Sequence, residues 1–178
     1  MKFSFSEDYI PLYVTHEHVC SYLSNEVAKT LLVDPDKNLD YNDYQRLLSI
    51  GFRRSGNMVY RPNCSDCKAC ISVRIPVADF KPRRNQRRCW QRNHNLQVIL
   101  RPAEFDQEHY DLYLHYMSVR HHDGGMANLT PALYIEFLTT RWNPTLFVEF
   151  RHNKQLLAVA VTDLLPNSLS AVYTFFNP

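Results

Sequence analysis

The run LFVEFRHNKQLLAVAVTDLLPNSLSAVYTFF, residues 146–176, decides the fold class. It contains three apolar segments of high β content, Leu146–Phe150, Leu156–Thr162 and Leu169–Phe176, separated by the turn signals HNKQ and LLPNS. Such segments, joined by short polar breaks, predict an antiparallel meander. Asn177-Pro178 follows its most hydrophobic strand directly, and a sheet edge left bare there predicts that further chain completes it.

The residues before the meander carry a helical period. Phe105, Leu112, Tyr113 and Tyr116 mark the buried stripe of a helix of about four turns, which runs out at Arg120-His121-His122-Asp123-Gly124-Gly125-Met126. Thr130-Pro131 opens a second helix, with Thr as cap and Pro at the first position, and Tyr134, Phe137, Leu138 and Trp142 as its apolar face. Leu96–Leu100 reads as a strand. Helices alternating with an antiparallel sheet place the chain in the α+β class.

Upstream lies the densest chemistry of the chain, GFRRSGNMVYRPNCSDCKACISVRIPVADFKPRRNQRRC, residues 51–89. Met58–Arg61 reads as a short strand. Ile71, Val73, Ile75 and Val77 alternate with polar residues and Pro76, which predicts a half-buried edge strand. Arg83–Asn93 predicts a helix on which Arg83/Arg87 and Arg84/Arg88 stack four apart; like charges at that spacing call for something that neutralises them. Further back, Asp40 caps a helix over Tyr41–Ile50 that stops at Gly51. Ser24 offers the cap of a short helix that Asp34-Pro35 ends.

Charge is unevenly spread. Residues 51–101 hold ten Arg and two Lys against Asp66 and Asp79, a net of +10 within a formal total of +2. No acid occurs between Asp79 and Glu104. A basic surface on an otherwise acidic chain suits a polyanion. Arg83, Arg84, Arg87 and Arg88 are therefore the candidate phosphodiester contacts, with Tyr60 and Trp90 able to stack on an unpaired base. The chain has only 4 glycines and neither GxGxxG nor GxxxxGK[ST], which argues against a Gly-rich phosphate loop.

Cys64, Cys67 and Cys70 put three thiols within seven residues, and with Cys20 as fourth ligand they match zinc or iron–sulfur ligation; reduced thiols in a small core are the alternative. Cys89, His16 and His18 stand behind Cys20 as fourth donors. Five cysteines, no positively charged leader with an apolar stretch and no run long enough to span a bilayer predict a reducing, cytoplasmic location without disulfides. In the helix exit at residues 120–126, His121 and Asp123 are the groups able to handle a proton on an amine, and a plain helix cap is the alternative. No nucleophile elbow or Cys/His triad order is visible, so covalent catalysis has no support.

Read together, Cys20-Ser-Tyr-Leu23, Gly51-Phe-Arg-Arg-Ser-Gly56, Tyr60-Arg-Pro62, Cys64-x-x-Cys67-x-Ala-Cys70, Val73-Arg-Ile-Pro76, Gln86-Arg-Arg88, His121-x-Asp-Gly-Gly-Met126 and Leu169-Ser-Ala-Val-Tyr-Thr-Phe-Phe176 resemble the bacterial aspartate/glutamate leucyltransferases, relatives of arginyl-tRNA–protein transferases. The motifs span nearly the whole chain in family order. The resemblance implies transfer of Leu from leucyl-tRNA to the α-amino group of proteins beginning with Asp or Glu, which marks them for N-degron proteolysis. It implies a small cysteine-containing α+β domain over residues 1–85. It also implies an acetyltransferase-like (GNAT) antiparallel-sheet domain over residues 86–178, shorter than the family's. It associates an Fe–S cluster with Cys20, Cys64, Cys67 and Cys70, requires no cofactor for the transfer, makes Arg53, Arg54 or Arg74 the reader of the acceptor's acidic side chain, and adds Tyr173 to His121 and Asp123 as a catalytic candidate. Two other functions remain at this point: a non-enzymatic RNA-binding module built on a cysteine knuckle, and an acyl-CoA acetyltransferase.

Overall fold

Residues 9–121 and 129–178 are described by a computed structural model, which divides into two units, residues 1–54 with 58–72 and residues 55–57 with 73–178. The division between residues 72 and 73 lies upstream of the expected domain limit at residue 85: residues 73–83 are exposed coil and one 3-10 turn, Arg84 and Asn85 begin a helix, and all of them fall to the second unit.

Up to residue 72 the elements are β1 (Leu12–Val14), β2 (His18–Val19), β3 (Val27–Ala28), β4 (Thr30–Val33), α1 (Tyr41–Ser49), β5 (Arg53–Ser55) and β6 (Met58–Pro62). One sheet has the order β1-β4-β6-β5, and β2 pairs with β3 as a separate ribbon. The helix expected after Ser24 is absent. Asn25 turns the chain with a φ of 66°, Cys20 N–H donates to the Glu26 carbonyl, and Val27–Val33 goes into strands, whose β-branched and aliphatic residues outweigh a lone capping serine. Helix α1 matches its reading. The Asp40 carboxylate accepts the Asp43 N–H at 2.8 Å, and Gly51 ends the helix at a φ of +90°, where a side chain would be strained. Tyr44 and Leu47 from α1 are buried, as are Val33, Phe52 and Val59.

The second unit holds a 3-10 turn (Val77–Asp79), α2 (Arg84–Arg92), β7 (Gln97–Pro102), α3 (Gln107–Arg120), α4 (Pro131–Leu138), β8 (Thr145–His152), β9 (Gln155–Leu165) and β10 (Ser168–Phe176). The expected strand over residues 71–77 does not form. Ile71, Val73, Ile75 and Val77 are all exposed, since alternation yields a strand only where a neighbour accepts the ladder, and Pro76 has no N–H to offer. The meander is present, extended by β7 into an antiparallel sheet of order β10-β9-β8-β7. One face carries Phe147, Val159, Val161 and Phe175, all fully buried, and α3 and α4 pack on it through Tyr113, Met117, Tyr134 and Leu138.

The stripe of α3 differs from its reading. Its buried residues are His109, Tyr113 and Met117, four apart, while Phe105 is exposed and Leu112 and Tyr116 are half-buried. A histidine occupies this face because its Nε2 lies 2.7 Å from Oε1 of Glu149, a fully buried carboxylate on β8. Arg151 donates its Nε–H to the other oxygen at 2.6 Å, and its two Nη atoms reach Glu108 at 3.2 and 2.6 Å. Arg101 adds an ion pair to Glu149 at 3.4 Å. The hydrogen bond from Arg151, assisted by that from His109, holds the Glu149 carboxyl down at about 2 against the opposing pull of burial.

Removing one member of a buried ionic set strands the others. Glu149→Gln should cost about 3 kcal/mol or more, read from urea denaturation near neutral pH. Glu149's folded pKa lies below its ordinary value of 4.5. The stabilisation it brings is therefore complete above that value and is lost as pH falls towards about 2. The urea midpoint of the wild type should drop across that window more steeply than that of Glu149→Gln; parallel drops would remove the carboxylate as the cause.

Candidate functional site

Helix α3 ends where its stripe reaches the last residues of β10. The Tyr116 hydroxyl lies 3.3 Å from His121 Nε2, with the two rings edge to face at 5.4 Å. Tyr116 also meets the Phe176 ring at 5.0 Å and the Tyr173 ring edge-on at 6.5 Å, and Phe137 of α4 meets Tyr173 at 5.2 Å. The Arg120 guanidinium sits over the Phe176 ring at 5.7 Å. Two of the three catalytic candidates, His121 and Tyr173, therefore flank the same tyrosine. The third, Asp123, lies outside the described residues.

The two candidates differ in chemistry. Burial, with a smaller effect of Tyr116, raises the Tyr173 hydroxyl to about 12, so at neutral pH it is a protonated donor, and it donates to Met117 Sδ at 3.6 Å. His121 is exposed and is the group able to accept a proton. Tyr116 was missed in the sequence because the apolar period alone gave it a packing role. The i, i+5 relation of Tyr116 to His121 across a helix end was the signal available.

Of the arginines proposed to read the acceptor, Arg54 is buried at 5% exposure. Arg53 lies half-buried with its guanidinium 5.5 Å from the Tyr60 ring centre and its Nε enclosed without a hydrogen-bond partner. Arg74 is exposed in coil. The basic helix forms as read. Arg83 precedes α2, its N–H donating to Gln86 Oε1 at 2.8 Å, and Arg84, Arg87, Arg88 and Arg92 are all exposed, as is Trp90 at 80%. Apart from the bond from Arg87 to the Pro82 carbonyl, the hydrogen bonds and ion pairs of the described residues leave these guanidinium groups to solvent. Four arginines and no acid on nine residues make a surface for phosphates.

Cys20, Cys64, Cys67 and Cys70 line one cavity of about 460 Å³, with Tyr22, Leu23 and Glu26 among the other walls. All are free thiols. The Cys64 thiol donates to the Lys29 carbonyl at 3.8 Å, and Cys20 Sγ accepts the Tyr22 N–H at 3.5 Å. Four soft donors around one hollow fit a zinc ion or an iron–sulfur cluster by type and by room. Among the described residues no three His, Cys, Asp or Glu side chains close around a single point. Cys89 lies elsewhere, exposed on α2, and His16 and His18 are not among the walls of this cavity.

Among the described residues no helix is long and apolar enough to cross a membrane. Two family models match the chain, described as arginine-tRNA-protein transferase, N terminus, over residues 18–88, and arginine-tRNA-protein transferase, C terminus, over residues 108–178. Similar curated proteins bear the name aspartate/glutamate leucyltransferase. That of Hahella chejuensis is 51% identical over 166 residues, 93% of this chain and 71% of the relative. That of Nitrosococcus oceani is 48% identical over 167 residues, 93% and 70%. That of Pseudomonas aeruginosa is 50% identical over 169 residues, 95% and 72%.

Proposed function

The chain belongs to the arginine-tRNA-protein transferase family, and from that premise we propose that it moves Leu from leucyl-tRNA onto the N-terminal Asp or Glu of acceptor proteins, in the cytoplasm, committing them to N-degron proteolysis. The observation that carries this reading is that both halves of the family match in order, at about half identity to relatives bearing that name.

The chemistry asks little of the protein beyond placement. The aminoacyl ester is already activated, so juxtaposing it with a neutral amine supplies most of the acceleration. The acceptor nitrogen attacks the ester carbonyl carbon, the bond to the ribose oxygen of tRNA breaks, and an amide forms. The proton leaving the amine must reach that ribose oxygen. We assign that transfer to His121, which is exposed and lies 3.3 Å from the Tyr116 hydroxyl. Tyr173 is held protonated and serves as wall and donor rather than base. The arginines of α2 and Arg83 hold the tRNA backbone.

We propose likewise that Cys20, Cys64, Cys67 and Cys70 hold one zinc ion or one iron–sulfur cluster. That all four line one cavity supports this. Such a group would cross-link β-ribbon and loop in the first unit and supply no step of the transfer.

Three outcomes are expected. With labelled leucyl-tRNA, the full chain should transfer label to a peptide beginning with Asp or Glu and not to one beginning with Ala, and His121→Ala should lower kcat about a hundredfold or more. No transfer to the acidic peptides by the wild type would remove the assignment. Arg87→Glu with Arg88→Glu should weaken tRNA binding and flatten its salt dependence, because counterion release scales with the phosphates neutralised; an unchanged salt slope would move the RNA surface off α2. After anaerobic purification, metal analysis and visible absorption should find iron or zinc that Cys67→Ser loses, while folded, colourless, metal-free wild type would leave the thiols as plain packing groups.

A further inference from the structure

The selection of acceptors beginning with Asp or Glu requires a fixed cation beside the reacting amine, and the arginines of this chain can be sorted by whether they are available. Arg101 and Arg151 are committed to Glu149 and Glu108. Arg46 is paired with Asp43, and Arg61 donates to the Ile50 carbonyl and stacks on Phe52. Arg54 is buried, and the Nε of Arg53 is enclosed. Arg74 lies in exposed coil and Arg141 in an exposed bend, neither held by a ring or an ion pair among the described residues, and Arg83 with the arginines of α2 makes a continuous surface suited to a repeating polyanion rather than to one carboxylate. Arg120 is different. It is exposed, has no carboxylate partner among the described residues, and its guanidinium is nonetheless held over Phe176.

Its position follows from the helix it ends. The stripe of α3 that packs on the sheet passes through His109, Tyr113 and Met117, and at 3.6 residues per turn Tyr116 and Arg120 fall on the same side. The stripe reaches the end of β10 at these two residues, and both touch the Phe176 ring, Tyr116 at 5.0 Å and Arg120 at 5.7 Å. Tyr116 in turn holds His121 at 3.3 Å. Arg120 and His121 are thus tethered to one aromatic pair. Stacking on a ring occupies the flat face of a guanidinium and leaves its N–H edges free for a two-pronged bond to a carboxylate. An N-terminal Asp or Glu presents a carboxylate a few bonds from its α-amine, and an arginine beside a proton acceptor matches that pair of groups.

We propose that Arg120 is the specificity-determining residue of the acceptor site, binding the side-chain carboxylate of the N-terminal Asp or Glu while its α-amine faces His121. This rests on the function proposed above and names the residue that selects its acceptor. The carboxylate bond would be charge-assisted, and its loss should raise KM for an Asp-initiated peptide by about tenfold to a hundredfold.

The test is kinetic, on the full chain, with peptides that begin with Asp or with Asn, its uncharged counterpart. The wild type should favour Asp. Arg120→Ala should raise KM for the Asp peptide, leave the Asn peptide where it was and leave Kd for leucyl-tRNA unchanged; Arg120→Lys should recover part of the loss, because it keeps the charge without the fork. Equal losses with both peptides would overturn the proposal and leave Arg120 a structural residue. A weaker, salt-sensitive Kd for leucyl-tRNA, with the Asp preference kept, would overturn it in favour of a phosphate contact. Should the wild type transfer no Leu at all, the fault lies with the assigned reaction, and direct titration of the tRNA-free chain with the two peptides still decides: a preference for Asp that Arg120→Ala abolishes supports the proposal, and no preference overturns it.

Discussion

The second unit depends on one buried contact to a carboxylate, the 2.7 Å approach of His109 on α3 to Glu149 on β8. Both side chains are withdrawn from water, and burying a carboxylate is expensive unless every polar atom finds a partner. Glu149 meets that condition: one oxygen faces His109 and Arg101, the other Arg151, which is itself braced by Glu108. Within this set His109 Nδ1 is enclosed without a partner. A set of this kind contributes less by its net energy than by its uniqueness, since no other rotation of α3 about its axis satisfies it. Apolar packing through Tyr113 and Met117 would tolerate a small rotation; the carboxylate does not.

That fixed phase carries through to the far end of the helix. With His109 on the sheet, Tyr116 and Arg120 are directed at Phe176, and His121 follows at the cap, where its N–H donates to the Met117 carbonyl at 2.9 Å. The distance from the buried contact to the helix exit is three turns, and the rigidity of those turns transmits the register. The candidate chemistry therefore rests on an interaction in which none of its own residues takes part.

The readable features in the sequence were those that depend on local pattern. Asp40, Thr130-Pro131 and Gly51 gave the helix limits because capping is satisfied within one turn, and the meander announced itself through apolar runs broken by polar turns. The features that failed depend on partners far along the chain. Ile71 to Val77 alternate as a strand would, but nothing pairs with them. Val27 follows a capping serine but is drawn into a ribbon with β2. His109 and Glu149 lie 40 residues apart, and in isolation each is an ordinary polar residue. The arginines show the same limit most plainly: identical in type, they separate into paired, enclosed and free only once their neighbours are known.

Helix α2 represents the opposite extreme. It spans nine residues, every one exposed, with Arg84, Arg88 and Arg92 four apart, and such a segment has neither length nor packing to hold it and carries repulsion against it. What favours it locally are short-range bonds, among them Arg83–Gln86 and Arg87–Pro82 at its start and those of Asn93 and His94 at its end. A helix so placed is stabilised by whatever neutralises its charge. Phosphates spaced along a nucleic acid would convert the repulsion into attraction and order the helix in the same step, so that binding and helix formation become one equilibrium with one salt dependence. The two units of charge chemistry in this chain thus work by contrary means: the Glu149 set fixes a helix by being shielded from water, and the arginines of α2 leave theirs to be fixed by a partner.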